Sequence, residues 1–210
     1  MVDITFYGLI IGLSFFLLYE EKFQATPTWI RYIFIYLFIL HFTGHGFHWA
    51  ANAINETILN IGSGTPTSVS EYAYYLDEIV SHYIMYPTFL GMLFVLLLAD
   101  IYVCPENKKS DRHSEPHEIT VNVRRMLIPS VVFGFSYMVS SAEAQLSYLA
   151  IFFAIAVIAV IFIKFKDGFS SGLSKSNFRV FLFTSSFMIL ITAAIYWMLF
   201  PGFPEPSKIL

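Results

Sequence analysis

Residues 28–55 read TWIRYIFIYLFILHFTGHGFHWAANAIN, an apolar run in which three histidines recur at helical spacing. His41, His45 and His48 stand at positions i, i+4 and i+7, so a helix places them within about 60° of one another. Asn52 continues the same stripe. Because ionisable side chains are costly where they face lipid, this stretch predicts an apolar helix with one buried polar face.

The composition indicates the environment of the chain. Of its 210 residues, 57% are hydrophobic, 19% are aromatic and only 13% are charged, so a polar surface cannot cover the apolar total. We therefore predict an all-α fold, a polytopic helical bundle in the lipid bilayer. A net charge of -3 provides no basic surface for nucleic acid. The single cysteine, Cys104, excludes an intrachain disulfide and a multi-cysteine metal site.

Six apolar runs approach or exceed the length of about 20 residues that a bilayer crossing needs. The predicted transmembrane helices cover residues 4–19, 28–50, 83–103, 126–142, 146–164 and 179–200 of a single integral membrane domain, 1–210. The first run is short. Acidic residues stand where a cleavable signal would carry basic or small ones, so we expect this run to be retained as a helix.

The basic residues lie on one side of this six-span arrangement. Eleven of the twelve lysines and arginines flank or occupy the first, third and fifth connections. They are Lys22, Arg31, Lys108, Lys109, Arg112, Arg124, Arg125, Lys164, Lys166, Lys175 and Arg179. The positive-inside rule predicts that these connections, including the loop 104–125, are cytoplasmic and that both termini are non-cytoplasmic. We expect the plasma membrane as the location.

A second polar group precedes the predicted span 83–103. Glu78 and His82 are four residues apart and share a helical face, and Asp77 adjoins them. Counting 1.5 Å per residue along each helix puts His82 level with His48, near the outer membrane face. The two polar groups are therefore predicted to meet.

The helix that carries this second group is predicted to be long and kinked. Ser68 and Glu71 form a capping-box pattern, so a helix from about residue 69 can run to Val103 over about 52 Å. That exceeds the hydrocarbon layer of roughly 30 Å. Pro87 cannot donate a backbone hydrogen bond and predicts a kink that turns residues 69–84 across the outer mouth of the bundle.

Smaller features extend these predictions. Gly44 and Gly46 are expected to let another helix approach closely. Asp100, near the inner end of the span 83–103, is expected to reach the interface or to pair with a basic loop residue. Ser140 and Glu143 share a face at the outer end of the span 126–142, where packing is the commoner role.

Imidazoles and a carboxylate at one depth are typical of a zinc or iron site. The preferred metal ligands are His45, His48, Glu78 and His82. The alternative ligands, or groups that orient a ligand, are His41, Asn52, Asp77 and Glu143. Such a site would suit a metal-dependent hydrolase or oxidoreductase with a lipid-like substrate. The sequence assigns no catalytic residue.

Three other interpretations remain open. A b-type haem electron-transfer subunit needs only two axial histidines, one from the span 28–50 and His82. A proton relay or carrier uses the same residue types, although only Tyr32 and Tyr36 continue an inward path below His41. A non-catalytic subunit of a membrane complex would use the polar groups only to hydrogen-bond its helices together.

The residue types between His41 and His82 resemble those of the seven-helix membrane hydrolases related to alkaline ceramidases and progestin–adipoQ receptors. This resemblance implies a zinc site built from histidines, an aspartate and a serine. The chain departs from that pattern because it has six predicted spans and no histidine near its C-terminal spans.

Overall fold

The structure is a computed structural model that describes residues 26–61, 67–103, 123–166 and 168–205. Within these ranges the regular secondary structure is entirely helical, which confirms the predicted all-α fold. The predicted first span, residues 4–19, and most of the predicted loop 104–125 lie outside the described residues.

Seven α-helices and one π-helix follow one another along the described part of the chain. In chain order they are α1 (Thr28–Ile61), α2 (Thr67–Tyr74), a π-helix (Tyr75–Ser81), α3 (His82–Val103), α4 (Val123–Glu143), α5 (Ser147–Lys164), α6 (Phe169–Ser174) and α7 (Asn177–Leu199). Helix α3 continues directly from the π-helix, which in turn continues from α2. A single helical segment therefore runs from residue 67 to residue 103.

Five segments in the described part of the chain are long and apolar enough to cross a membrane. They are Thr28–Ile58, Ser68–Val103, Arg125–Glu143, Ser147–Lys164 and Asn177–Leu199. The first two are longer than the predicted spans 28–50 and 83–103. The apolar runs did not include residues 51–58 and 68–82. Only the part of a helix within the hydrocarbon layer needs apolar side chains, so hydropathy does not indicate where a longer helix begins or ends.

Large apolar side chains lie on the outside of the helices. Ile128 and Phe152 are each 72% exposed and Ile163 is 75% exposed. Such a surface is unfavourable in water but ordinary against lipid, where backbone polar groups are satisfied within each helix. The fold is thus compatible with an integral membrane protein.

The chain divides into two compact units, Met1–Val95 and Leu96–Leu210, with the boundary inside α3. In the first unit, α1 packs against α2 and the π-helix. Gly44 makes a close approach possible there, because a Cβ atom at this position would lie 2.7 Å from Cγ of Met85. Gly46 has nothing within 4 Å of the corresponding position, so the expected close approach is confirmed only at Gly44.

In the second unit, α7 packs against α4 and α5. Small residues allow the approach, since Ala150 and Ala154 are fully buried beside Ile189. Gly134 faces the backbone of α7 so closely that an added Cβ would lie 2.5 Å from the carbonyl oxygen of Ser185. Close contact between small residues is the usual way in which membrane helices gain packing energy.

A buried arginine joins three elements of the second unit. Arg179 is fully buried, and its Nε lies 2.6 Å from Oδ2 of Asp100. Its terminal nitrogens donate to the carbonyl oxygens of Gly172, at 2.9 Å, and of Asp100, at 3.0 Å. Ser176 donates to Oδ1 of Asp100, and the guanidinium lies 4.7 Å from the centre of the Phe165 ring. Asp100 thus pairs with a basic residue as expected, but that residue is buried within α7 and does not belong to a loop.

Candidate functional site

The π-helix places the acidic side chains of the first unit. Asp77 and Glu78 lie within Tyr75–Ser81, and the hydroxyl of Ser81 donates to the backbone carbonyl of Asp77. In a π-helix the backbone bonds to the fifth residue instead of the fourth, and such segments are frequent at functional sites. The predicted helix from about residue 69 to Val103 is present, but these seven residues have π-helical geometry, which the sequence did not predict. Residue preferences carry no signal that distinguishes a π-turn from an α-turn.

Asp77 contacts the histidine stripe of α1. Its Oδ1 lies 2.5 Å from Nδ1 of His48, and the Asp77 side chain is only 8% exposed. The two atoms are in contact but are not aligned as a hydrogen bond. Asn52 lies on the other side of the ring, with its amide nitrogen 3.3 Å from Nε2 of His48. Because an amide nitrogen can only donate, Nε2 accepts, and the proton of neutral His48 belongs on Nδ1, beside Asp77.

The ring of His82 lies beside that of His48. The ring centres of His48 and His82 lie 5.8 Å apart, with 34° between the ring planes. Nδ1 of His82 lies 3.6 Å from a carboxylate oxygen of Glu78, which is too long for a hydrogen bond. This nitrogen is buried and has no hydrogen-bond partner among the described residues. Four side chains thus lie next to one another in succession. We call them the histidine–carboxylate cluster, which consists of Glu78, His82, His48 and Asp77.

A second histidine pair lies deeper along α1. His41 and His45 are each 2% exposed, and their ring centres lie 4.7 Å apart. Nδ1 of His41 donates to the carbonyl oxygen of Met85, at 3.1 Å, and lies 3.4 Å from the hydroxyl of Thr88. The proton is thereby held on Nδ1, so the lone pair of His41 is on Nε2. That atom is buried and has no hydrogen-bond partner in the part of the chain that the structure describes.

The structure brings together some of the predicted ligands. His48, Glu78 and His82 lie in the histidine–carboxylate cluster, while His45 pairs with His41 instead. Glu143 ends α4, in the second unit. Among the described residues, no three histidine, cysteine, aspartate or glutamate side chains are arranged to hold one metal ion. The predicted metal centre is therefore not visible in the arrangement of these side chains.

The sequence did not predict two hydroxyl groups of the first unit, one beside Asp77 and one beside His41. Ser81 is fully buried, and Thr88 is 6% exposed. Thr88 also donates to the carbonyl oxygens of Ile84 and Met85. The available signal for Thr88 was that it lies six residues after His82 on the same helix. Serine and threonine are nevertheless common in membrane helices as packing residues, so this signal alone does not single them out.

No protein-family model, curated protein or solved structure matches the chain. The fold itself defines a class: a helical protein with five described helices long enough to cross a membrane. Within that class, its distinguishing feature is the histidine–carboxylate cluster, together with the buried pair of His41 and His45.

Proposed function

We propose that the first unit is a proton-exchanging site of a membrane carrier or relay. The observation that carries the proposal is the 2.5 Å contact between His48 and the buried carboxylate of Asp77. Imidazole and carboxylate groups in contact can share a proton, and histidine changes its charge in the physiological pH range. Ionisable groups inside membrane helices commonly belong to such pathways.

A metal ion and a proton would compete for the same ring nitrogen of His48. A metal ligand must offer a lone pair, and the lone pair of neutral His48, on Nε2, accepts from Asn52. The other ring nitrogen lies against Asp77. Protonation at Nε2 displaces the hydrogen bond from Asn52, and in return it turns the contact with Asp77 into an ion pair.

Exposure of the side chains suggests a direction for proton entry. The Glu78 side chain is 41% exposed, His82 is 18% exposed and Asp77 is 8% exposed. Beyond His41, the next polar side chains on α1 are Tyr36 and Tyr32, which are 63% and 68% exposed and so do not continue the buried face. This arrangement fits a site that takes up a proton at the Glu78 end. Release of the proton on the other side would then require a conformational change.

Infrared spectroscopy after a pH jump tests proton exchange directly in reconstituted full-length protein. We expect a carboxyl band and an imidazole band that change together. Asp77→Asn removes the carboxyl band, and His48→Gln removes the coupling between the two bands. Glu71→Gln, an exposed acidic residue on α2, is the matched control and leaves both bands intact. Identical spectra for Asp77→Asn and the unaltered protein would contradict the proposal.

Proteoliposomes with an internal pH-sensitive dye then test transport. An imposed pH gradient should drive proton uptake that Asp77→Asn slows by about tenfold or more, while Glu71→Gln does not. Uptake at the rate of empty vesicles, together with normal infrared bands, would place the site in a subunit that exchanges protons without carrying them across the membrane.

A metal-dependent enzyme is the second candidate, favoured by one observation. Nδ1 of His82 and Nε2 of His41 are buried atoms without hydrogen-bond partners among the described residues, and such atoms commonly face an ion or a water molecule. A zinc or iron ion near His82 and Glu78 would support a hydrolase or oxidoreductase with a lipid-like substrate. This candidate would be favoured if the unaltered protein contains zinc or iron in stoichiometric amount and the His82→Ala variant does not. A Soret band would favour b-type haem.

We also propose the orientation that the basic residues predict: six spans, with both termini on the non-cytoplasmic side of the plasma membrane. What supports it is the asymmetry of lysine and arginine, since eleven of the twelve fall on one side of the six-span arrangement. In this orientation the Glu78 end of the cluster opens to the outside.

A further inference from the structure

The second unit contains a cavity of about 430 Å³ at the end where α5 begins and α7 has ended. Its walls come from the α4–α5 turn and from the segment that follows α7. The lining residues are Gln145, Ser147, Tyr148, Gly202, Phe203, Pro204 and Glu205. Its volume is within the range of small-molecule sites, which is roughly 300–1,000 Å³.

The segment after α7 is fixed in place around this cavity. The Tyr196 hydroxyl donates to the carbonyl oxygen of Pro204, at 2.5 Å, and the Phe203 ring stacks on Tyr196 with 11° between the ring planes. Phe203 is only 9% exposed. Both Phe203, with φ of 52°, and Gln145, with φ of 57°, adopt left-handed backbone conformations that are unfavourable for such side chains. The surrounding contacts therefore hold both walls in a defined geometry.

The lining combines a negative charge with aromatic surface. Glu205 is the charged residue among the lining residues, and the amide of Gln145 donates to its carboxylate. The rings of Tyr148 and Phe203 meet edge to face, with centres 5.5 Å apart and 81° between their planes. Tyr148 is 65% exposed, so one face of its ring is open to a ligand. A carboxylate beside aromatic faces is the environment that proteins use to bind ammonium groups.

Ser147 provides an independent sign of a ligand. This first residue of α5 is 1% exposed, and its hydroxyl oxygen has no hydrogen-bond partner among the described residues. The residue before it, Leu146, supplies no side-chain cap to the helix. A buried hydroxyl without a partner is costly, and a polar ligand in the adjoining cavity would offset that cost.

We propose that this cavity binds an ammonium compound, with the cation against Tyr148 and Glu205 and a polar group of the ligand near Ser147. This inference is independent of the proton-exchanging site, because every residue involved belongs to the second unit. The same chemistry occurs in choline and ethanolamine phospholipids and in soluble amines. The cavity adjoins the ends of two membrane-crossing segments, Ser147–Lys164 and Asn177–Leu199, so a lipid headgroup has direct access.

The first experiment uses tetramethylammonium as the probe. Saturation-transfer NMR on full-length protein in non-ionic detergent should show contact with its methyl protons, and sodium at equal ionic strength should not compete. Tyr148→Leu and Glu205→Gln should each weaken binding by about tenfold. The matched control is Tyr102→Leu, since Tyr102 is 58% exposed on α3 and does not line the cavity. It should leave binding unchanged.

The second experiment identifies the source of the ammonium group. The protein is extracted from nanodiscs of equal parts phosphatidylcholine and phosphatidylglycerol, and native mass spectrometry records which lipid is retained. If the unaltered protein retains phosphatidylcholine and the Tyr148→Leu variant does not, the ligand is a lipid headgroup. Tetramethylammonium binding without retained lipid assigns it to a soluble amine. Absence of both signals, or equal losses in Tyr148→Leu and Tyr102→Leu, would overturn the proposal.

Discussion

At the scale of single residues, the position of Asp77 decides what the cluster can do. Helical spacing correctly predicts that His48 and His82 lie near each other, as their 5.8 Å ring separation shows. It favours Glu78 as the acidic partner, because residues 78 and 82 share a face of an α-helix. The structure instead puts Asp77 against His48, since the π-helix rotates the acidic side chains relative to α-helical geometry. No sequence pattern predicts that rotation.

The hydrogen bond from Asn52 makes a prediction about the His48 ring. Replacing the amide in Asn52→Leu removes the donor that faces Nε2. The proton on Nδ1 is then favoured only by the Asp77 carboxylate, so the preference of the neutral ring for this form weakens. Nitrogen-15 NMR of labelled histidines should show one His48 tautomer in the unaltered protein and a mixture in the variant. A single, unchanged tautomer in Asn52→Leu would mean that Asp77 alone fixes the ring.

The buried pair of Arg179 and Asp100 makes a prediction about stability. Arg179→Leu leaves the Asp100 carboxylate buried without its main partner, which costs about 3–5 kcal/mol. The double variant Arg179→Leu with Asp100→Leu should lose less than the sum of the two single variants, because no unpaired charge is left. Unfolding in detergent with increasing denaturant measures all three. Strict additivity would show that the two side chains do not act as a pair.

At the scale of helices, one glycine sets the distance between α1 and α3 within the first unit. Gly44→Ala places a methyl group 2.7 Å from Cγ of Met85 and 3.1 Å from Cγ2 of Ile84. Overpacking of this kind costs typically about 1–3 kcal/mol. Gly46→Ala is the control, because it has open space and gains helix propensity. Thermal unfolding should therefore separate the two variants, with Gly44→Ala the less stable.

The long helical segment from residue 67 to residue 103 shows which features of a helix the sequence predicts and which it does not. The capping-box pattern predicts its start to within two residues, since α2 begins at Thr67. Pro87 lies inside α3, and the departure from α-helical geometry that the structure describes is the π-helix before it. A kink at Pro87 remains a prediction. Proline is recognised directly in the sequence, whereas no residue type marks the π-helix that brings Asp77 to His48.

At the scale of the whole molecule, composition predicted the helical architecture, while the orientation predicted from charge remains a prediction. The apolar runs correspond to the five described helices that are long and apolar enough to cross a membrane, because a bilayer crossing requires a long apolar stretch. The cavity beside Tyr148 was not foreseen. Its walls meet through contacts between residues far apart in sequence, such as Tyr148 and Phe203, and turn residues carry no periodic signal. Spacing predicts which residues share a face, but not what that face contacts.

The proposed orientation predicts the result of cysteine labelling in intact cells. Gly62→Cys and Glu143→Cys should react with a membrane-impermeant reagent from outside, and Ser110→Cys should react only after the cells are opened. Each is made in a Cys104→Ser background, so that the native thiol does not contribute. External labelling of Ser110→Cys would reverse the orientation or change the number of spans.

The pairing of Arg179 with Asp100 also has a consequence for biosynthesis. The two residues are 79 positions apart, so a ribosome working at about 5–20 residues per second completes Asp100 roughly 4–16 s before Arg179. During that interval the carboxylate has left the ribosome without its guanidinium. A nascent chain arrested before residue 177 therefore presents an unpaired acid at a membrane helix, the kind of defect by which a quality-control protease could recognise unfinished copies.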